Sequence, residues 1–150
     1  MAIIIIVVAF LGIFSLAVFS LKTSVSVKES AIANNLAAET IEAIRNFRDA
    51  TDWNNNGLAT LGIGEDNSYY PQLDTSVSPP KWILVEGLET ISSFTRKVFF
   101  EKVSRDPTTF NIESTYNASH DDPNTRKVIT KILWSGKETE ISTYFTNWQQ

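Results

Sequence analysis

Cysteine is absent from the 150 residues, which excludes disulfides, thiol nucleophiles and cysteine-ligated zinc in one step. No charged residue precedes Lys22, no acidic residue precedes Glu29, and no proline precedes Pro71. Histidine occurs once, at His120. Basic charge is the minority: 13 Lys and Arg stand against 17 Asp and Glu, a formal net charge of −4. That balance argues against a general nucleic-acid or anionic-lipid surface. The length suits one domain, or one domain with a long appendage.

The apolar residues are unevenly spread. The chain opens "MAIIIIVVAFLGIFSLAVFSL", whereas the remainder is rich in Thr, Ser, Asn and Asp. As a helix, residues 1–21 would be about 31 Å long, enough to cross a hydrocarbon core. A cleavable secretory signal has a basic leading region, a shorter apolar core and a nearby small-x-small site. Here no Lys or Arg precedes the run, and the Ala31-x-Ala33 pair lies well beyond Leu21, inside a helical pattern. An uncleaved membrane or assembly element is therefore expected.

The periodicity continues past the apolar run. In "AIANNLAAETIEAIRNFRDA", Ala33, Leu36, Ala37, Thr40, Ile41, Ile44 and Phe47 recur at spacings of three and four and form one helix face. Asn35, Glu39, Glu42, Arg45, Asn46 and Asp49 take the other face, where Glu42–Arg45 and Arg45–Asp49 have spacings that add small surface stabilisation. One helix over about residues 2–49 would be roughly 70 Å long, apolar all round in front and amphipathic behind. Gly12, Ser15 and the β-branched stretch Thr23 to Val27 have low helix propensity, although glycine and serine are common in lipid-embedded helices.

From 51 to 81 the pattern dissolves into Asn, Gly, Ser and Pro, which predicts a long connecting loop with room for one short element. Strand signals follow at 82–86, 94–103, 110–115, 126–134 and 139–148. Val128, Thr130, Ile132 and Trp134 share one face, Ile141, Thr143 and Phe145 another, and Ser135-Gly136 supplies the hairpin turn. The fold class expected is α+β: a long N-terminal helix whose rear half covers a C-terminal antiparallel sheet. Residues 1–30 form the transmembrane or filament-core helix, and residues 31–150 the globular domain, with the loop at 51–81 and the sheet at 82–148.

That layout, with "ANNLAAETIEAIRNFRD" (33–49) and the hairpin "VITKILWSGKETEISTYFTNW" (128–148), resembles the type IV pilin and pseudopilin family. The resemblance implies a structural subunit of a pilus-like surface filament, or fimbrium, and no enzyme. In the family the apolar helix anchors the subunit in the inner membrane, then becomes the core of a helical homopolymer raised by the pilus assembly machinery. Carried to this chain, the assembly interface is Ile3, Ile4, Ile5, Ile6, Val7, Val8, Ala9, Phe10, Leu11, Gly12, Ile13, Phe14 and Leu16. Family members carry a basic leader ending in glycine and a glutamate a few residues into the mature segment. The "AIIIIVV" run here is similar to the portion just after that glutamate. The alternatives are a pseudopilin of a type II secretion system, or a single-span membrane-anchored binding domain facing the periplasm or exterior.

Catalytic and ligand motifs are sparse. His120 lies in "NASHDDPNT", beside Ser119 and Asp121, and reads as a solvated loop residue, since triad members are seldom loop neighbours. "SGKET" has the Gly-Lys of a phosphate loop without its upstream glycine. "DWNNNG" sets Asp52, Asn54 and Asn56 at alternate positions before Gly57, half of a calcium loop, with Ile63 where the bidentate glutamate belongs and Glu65 and Asp66 as substitutes. The competing reading is an asparagine-rich turn capping its own backbone, so no cofactor is expected and calcium is the sole candidate. "FTRKVFFEKV" interleaves Phe94, Phe99 and Phe100 with Arg96, Lys97 and Lys102, a pattern that can stack single-stranded nucleic acid. The acidic total favours a sheet strand instead, and nucleic acid is not expected as a partner. Asn117-Ala118-Ser119 is a glycosylation sequon.

Overall fold

A computed structural model describes the backbone of residues 2–148 and the side chains of residues 10–148. Helix α1 is continuous over Ala2–Ala50, through Gly12, Ser15 and the Thr23 to Val27 stretch. Each of those residues costs under about 1 kcal/mol in helix propensity, too little to open a ladder flanked by strong helix formers. Ala33, Ala37, Thr40, Ala43, Ile44 and Phe47 are buried, while Leu36 and Ile41 are half-buried. This is the face expected from the spacing, with Ala43 added. Thr40 satisfies its buried hydroxyl by donating to the Leu36 carbonyl at 2.6 Å.

The rear half of α1 lies on a six-stranded antiparallel sheet. The strands are β1 (Tyr69–Asp74), β2 (Lys81–Glu86), β3 (Glu89–Ile91), β4 (Phe94–Ser104), β5 (Asp121–Trp134) and β6 (Lys137–Thr146). Their order is β2-β1-β4-β5-β6, with β3 also paired to β4. The β5–β6 hairpin closes at Ser135-Gly136, where φ is +45° and +73°, the left-handed pair that suits the strand twist of a two-residue turn. Thr130 stands opposite Ile141 and Val128 opposite Thr143, so the two apolar rows identified in the sequence form one inner face.

Two expectations fail. The 110–115 segment is not a strand; its sole pairing is an isolated bridge from Ile112 to Arg105. Asp106 captures this stretch by accepting from the backbone N–H groups of Thr108 and Thr109 at 2.8 Å each, a turn that outcompetes the ladder. The sheet does not begin at residue 82, because the short element within the 51–81 loop is its strand β1. Proline 71 masked that strand, yet β1 pairs fully with β2 along one side and meets β4 only at Tyr69 and Val98. The β4 edge is then completed in pieces, by Gly64 donating to the Phe100 carbonyl at 2.9 Å and by β3 against residues 94–96.

The main core joins Ile44 and Phe47 of α1 to Val98, Phe100, Val128 and Phe145 of the sheet, plugged by Trp53 and Leu58 from the turn after the helix. A smaller cluster sets Ala33 and Ala37 against Phe94, Ile132 and Trp134. No described residue before 33 belongs to either cluster.

Candidate functional site

The front of α1 is an uncovered apolar rod. Phe10, Ile13, Phe14, Leu16 and Phe19 are 65–70% exposed, and Leu11 and Leu21 are exposed as well. A window of the described helix reaches a mean hydropathy of 1.7 with none of it buried, so the helix is long and apolar enough to cross a membrane. Single exposed apolar residues are ordinary, whereas a contiguous surface of this kind marks a membrane or protein contact. Of the expected assembly residues, Phe10, Leu11, Gly12, Ile13, Phe14 and Leu16 lie on this rod; the side chains of Ile3, Ile4, Ile5, Ile6, Val7, Val8 and Ala9 fall outside the described residues.

The rod is held to the domain where the helix reaches the sheet. Lys137, just past the hairpin turn, donates to Ser26 Oγ at 3.0 Å and pairs with Glu29 at 3.5 Å. Deeper, Arg96 is buried on the inner face of β4, with a side chain 4% exposed. Its guanidinium pairs with Glu89 of β3, reaches Glu39 at 3.2 Å and Thr40 Oγ1 at 3.4 Å on α1, and donates to the Pro71 carbonyl at 3.4 Å. It occupies the gap where β1 has left β4, so one side chain ties helix, β1 and β3 together. Glu39 was expected on a solvated face. It remains half exposed yet supplies one arm of this network.

The calcium candidates are placed in two unrelated settings. Asp52 Oδ1 accepts from the N–H groups of Asn54 and Asn55 at 2.9 and 3.0 Å, and Asn56 Oδ1 accepts from the Asp52 N–H at 2.8 Å. The bonds from Asn54 and Asn55, that from Asn54 first, hold the Asp52 carboxyl below its ordinary range. Gly57 belongs to the same tight turn: a Cβ there would stand 2.6 Å from the Asp52 carbonyl oxygen. Glu65 is instead engaged by lysines, binding Lys97 at 2.7 Å and Lys131 at 3.1 Å over the outer sheet face. Those lysines, Lys97 foremost, lower its pKa, and Glu65 in turn raises that of Lys131. Asp66 is exposed and adds no contact to Asp52. Among the described residues no group of three or more His, Asp or Glu side chains is placed to hold a metal. Millimolar calcium against chelator is accordingly expected to leave the melting temperature unchanged, since binding to the folded state would raise it by mass action; a rise abolished by Asp52→Ala would make the loop a metal site.

The remaining motifs also resolve. Phe94, Phe99 and Phe100 are buried and cannot stack bases, and Arg96 is buried with them. His120 sits in a short 3₁₀ turn, Ala118–His120, with Nδ1 at 2.9 Å from Glu113 and 3.3 Å from Asn117; its contacts are to neither Ser119 nor Asp121. The buried Arg96 and the core role of Trp53 and Leu58 were not anticipated. Alternation did mark Arg96 as sharing a face with Phe94, Val98 and Phe100, the one signal that could have found it.

Comparison with protein-family models, with curated proteins and with solved structures finds no match.

Proposed function

We propose that this chain is a structural subunit of a type IV pilus-like surface filament, held in the inner membrane by its apolar helix before assembly and packed through that helix afterwards. The observation that supports this reading is the uncovered rod: α1 continues far beyond its last core residue toward the N-terminus, and every described Ile, Leu and Phe side chain from Phe10 to Leu21 is exposed. Bundled rods would remove that surface from water, each Ile, Leu or Phe contributing about 1.5–3 kcal/mol on burial. The role is structural rather than catalytic, and the partners are identical copies and the assembly machinery. The same rod supports a second reading, a single-span anchor for a domain that never polymerises; a secretion pseudopilin would share the first mechanism in a shorter assembly.

Negative-stain microscopy of cells expressing the full chain separates these readings, since only the first yields filaments. The division between rod and domain has its own test. Because the smaller core cluster begins at Ala33 and the main one at Ile44, residues 27–150 are expected to be soluble and monomeric with cooperative unfolding, while the full chain requires detergent or polymerises. A fragment that aggregates or lacks cooperative unfolding would show that the front half belongs to the core.

A further inference from the structure

We infer that, while the helix spans a bilayer, the hairpin end of the sheet seats on the lipid phosphate layer through Lys22, Lys28 and Lys137. The inference rests on the membrane-anchoring part of the reading above. The apolar run ends at Leu21, and Lys22 is the first charge after it. Lys22 lies one helical turn before Ser26, on the face that Lys137 contacts. The axial rise from Lys22 to Ser26 is about 6 Å, comparable with the headgroup layer of about 5–7 Å on each side of the hydrocarbon. With Leu21 at the hydrocarbon boundary, Lys137 and the β5–β6 turn therefore stand at phosphate depth rather than in bulk water.

The chemistry at that depth suits a phosphate diester. Lys22 and Lys28 are exposed and have no ion-pair partner among the described residues, and long lysine stems can lie along an apolar surface while the ammonium stays at the interface. Lys137 is half exposed although it holds Glu29. Between the β3–β4 and β5–β6 turns runs an open groove lined by Ser93, Thr95, Trp134, Ser135 and Lys137, with Glu138 on the same rim. Its hydroxyls and ammonium are donors to phosphate oxygens. The net charge of −4 belongs to the whole chain; this end carries the unpaired lysines.

The absence of cysteine permits single-site labelling. Full-length chains carrying Phe14→Cys, Ser93→Cys or Thr109→Cys, each with a polarity-sensitive dye, are reconstituted into phosphatidylethanolamine–phosphatidylglycerol vesicles. Thr109 lies in the loop at the opposite end of the sheet. The expected result is the Phe14 label in hydrocarbon, the Ser93 label shielded from an aqueous quencher and quenched by headgroup nitroxides, and the Thr109 label in water. Lys22→Gln and Lys28→Gln should each lower the ratio of seated to free domains about fivefold. If the Phe14 label is in hydrocarbon but Ser93 is as accessible as Thr109, the seating is wrong and the anchor stands. If Phe14 remains accessible, the anchoring itself fails. Shielding of Ser93 that persists in detergent without lipid, or is indifferent to both lysine changes, assigns this end to another occupant and overturns the proposal.

Discussion

Ile13→Asp is expected to abolish filaments while leaving the subunit folded. Ile13 is 65% exposed and lies far from the residue where the core begins, so the domain has no use for its side chain. In a bundle of rods the same position is buried against neighbours, and an unpaired carboxylate there costs several kcal/mol per subunit. Asn35→Asp, on the exposed side of the helix over the domain, should affect neither filaments nor folding. Microscopy of both variants, with thermal unfolding of the full chains in detergent, checks the pair of outcomes. The anchor reading makes a different forecast. It has no filaments to lose, and Ile13→Asp instead weakens membrane insertion by about 3–4 kcal/mol. Normal filaments from Ile13→Asp would show that the apolar helix is not their core.

What was legible in the sequence follows from how local each signal is. The helix was readable over nearly its whole length because spacings of three and four are set by consecutive residues, and burial from Ala33 to Phe47 matches them. The β5–β6 hairpin was readable because period-two rows flank Ser135-Gly136. β1 was hidden because Pro71 argues against an interior strand, and only the three-dimensional arrangement shows that its β4 side is filled by a guanidinium rather than a ladder. The 110–115 segment misled in the opposite direction, since alternating Phe110 and Ile112 cannot report that Asp106 has already claimed the backbone. The candidate site divides in the same way. The rod is visible from composition, whereas the roles of Glu65 and Asp52 depend on partners up to 66 residues away in the case of Lys131 and on an asparagine turn in the case of Asp52.

Arg96→Ala is expected to lower stability by about 3–5 kcal/mol, the cost of breaking a buried ion pair from one side. For a chain of this size that corresponds to a melting temperature lower by roughly 6–20 °C. The reason is what the truncation leaves behind. Glu89 loses the partner that holds its partly buried carboxylate, the Pro71 carbonyl loses a donor in a gap that the β1–β4 ladder does not close, and Thr40 loses a contact on the helix face. Lys cannot replace this arrangement, because an ammonium lacks the planar fork that serves β1, β3 and α1 at once. Glu89→Ala should destabilise by removing the closest counter-charge, and the double variant Arg96→Ala with Glu89→Ala should cost less than the sum of the two, as contacting residues do. Glu39→Ala removes only the half-exposed arm and should stay within about 1 kcal/mol of the parent, as exposed ion pairs do. Denaturant unfolding of all four variants measures these terms. If Arg96→Ala costs no more than Glu39→Ala, the guanidinium fills space without holding the helix, β1 and β3 together, and the docking of α1 rests on its apolar face alone.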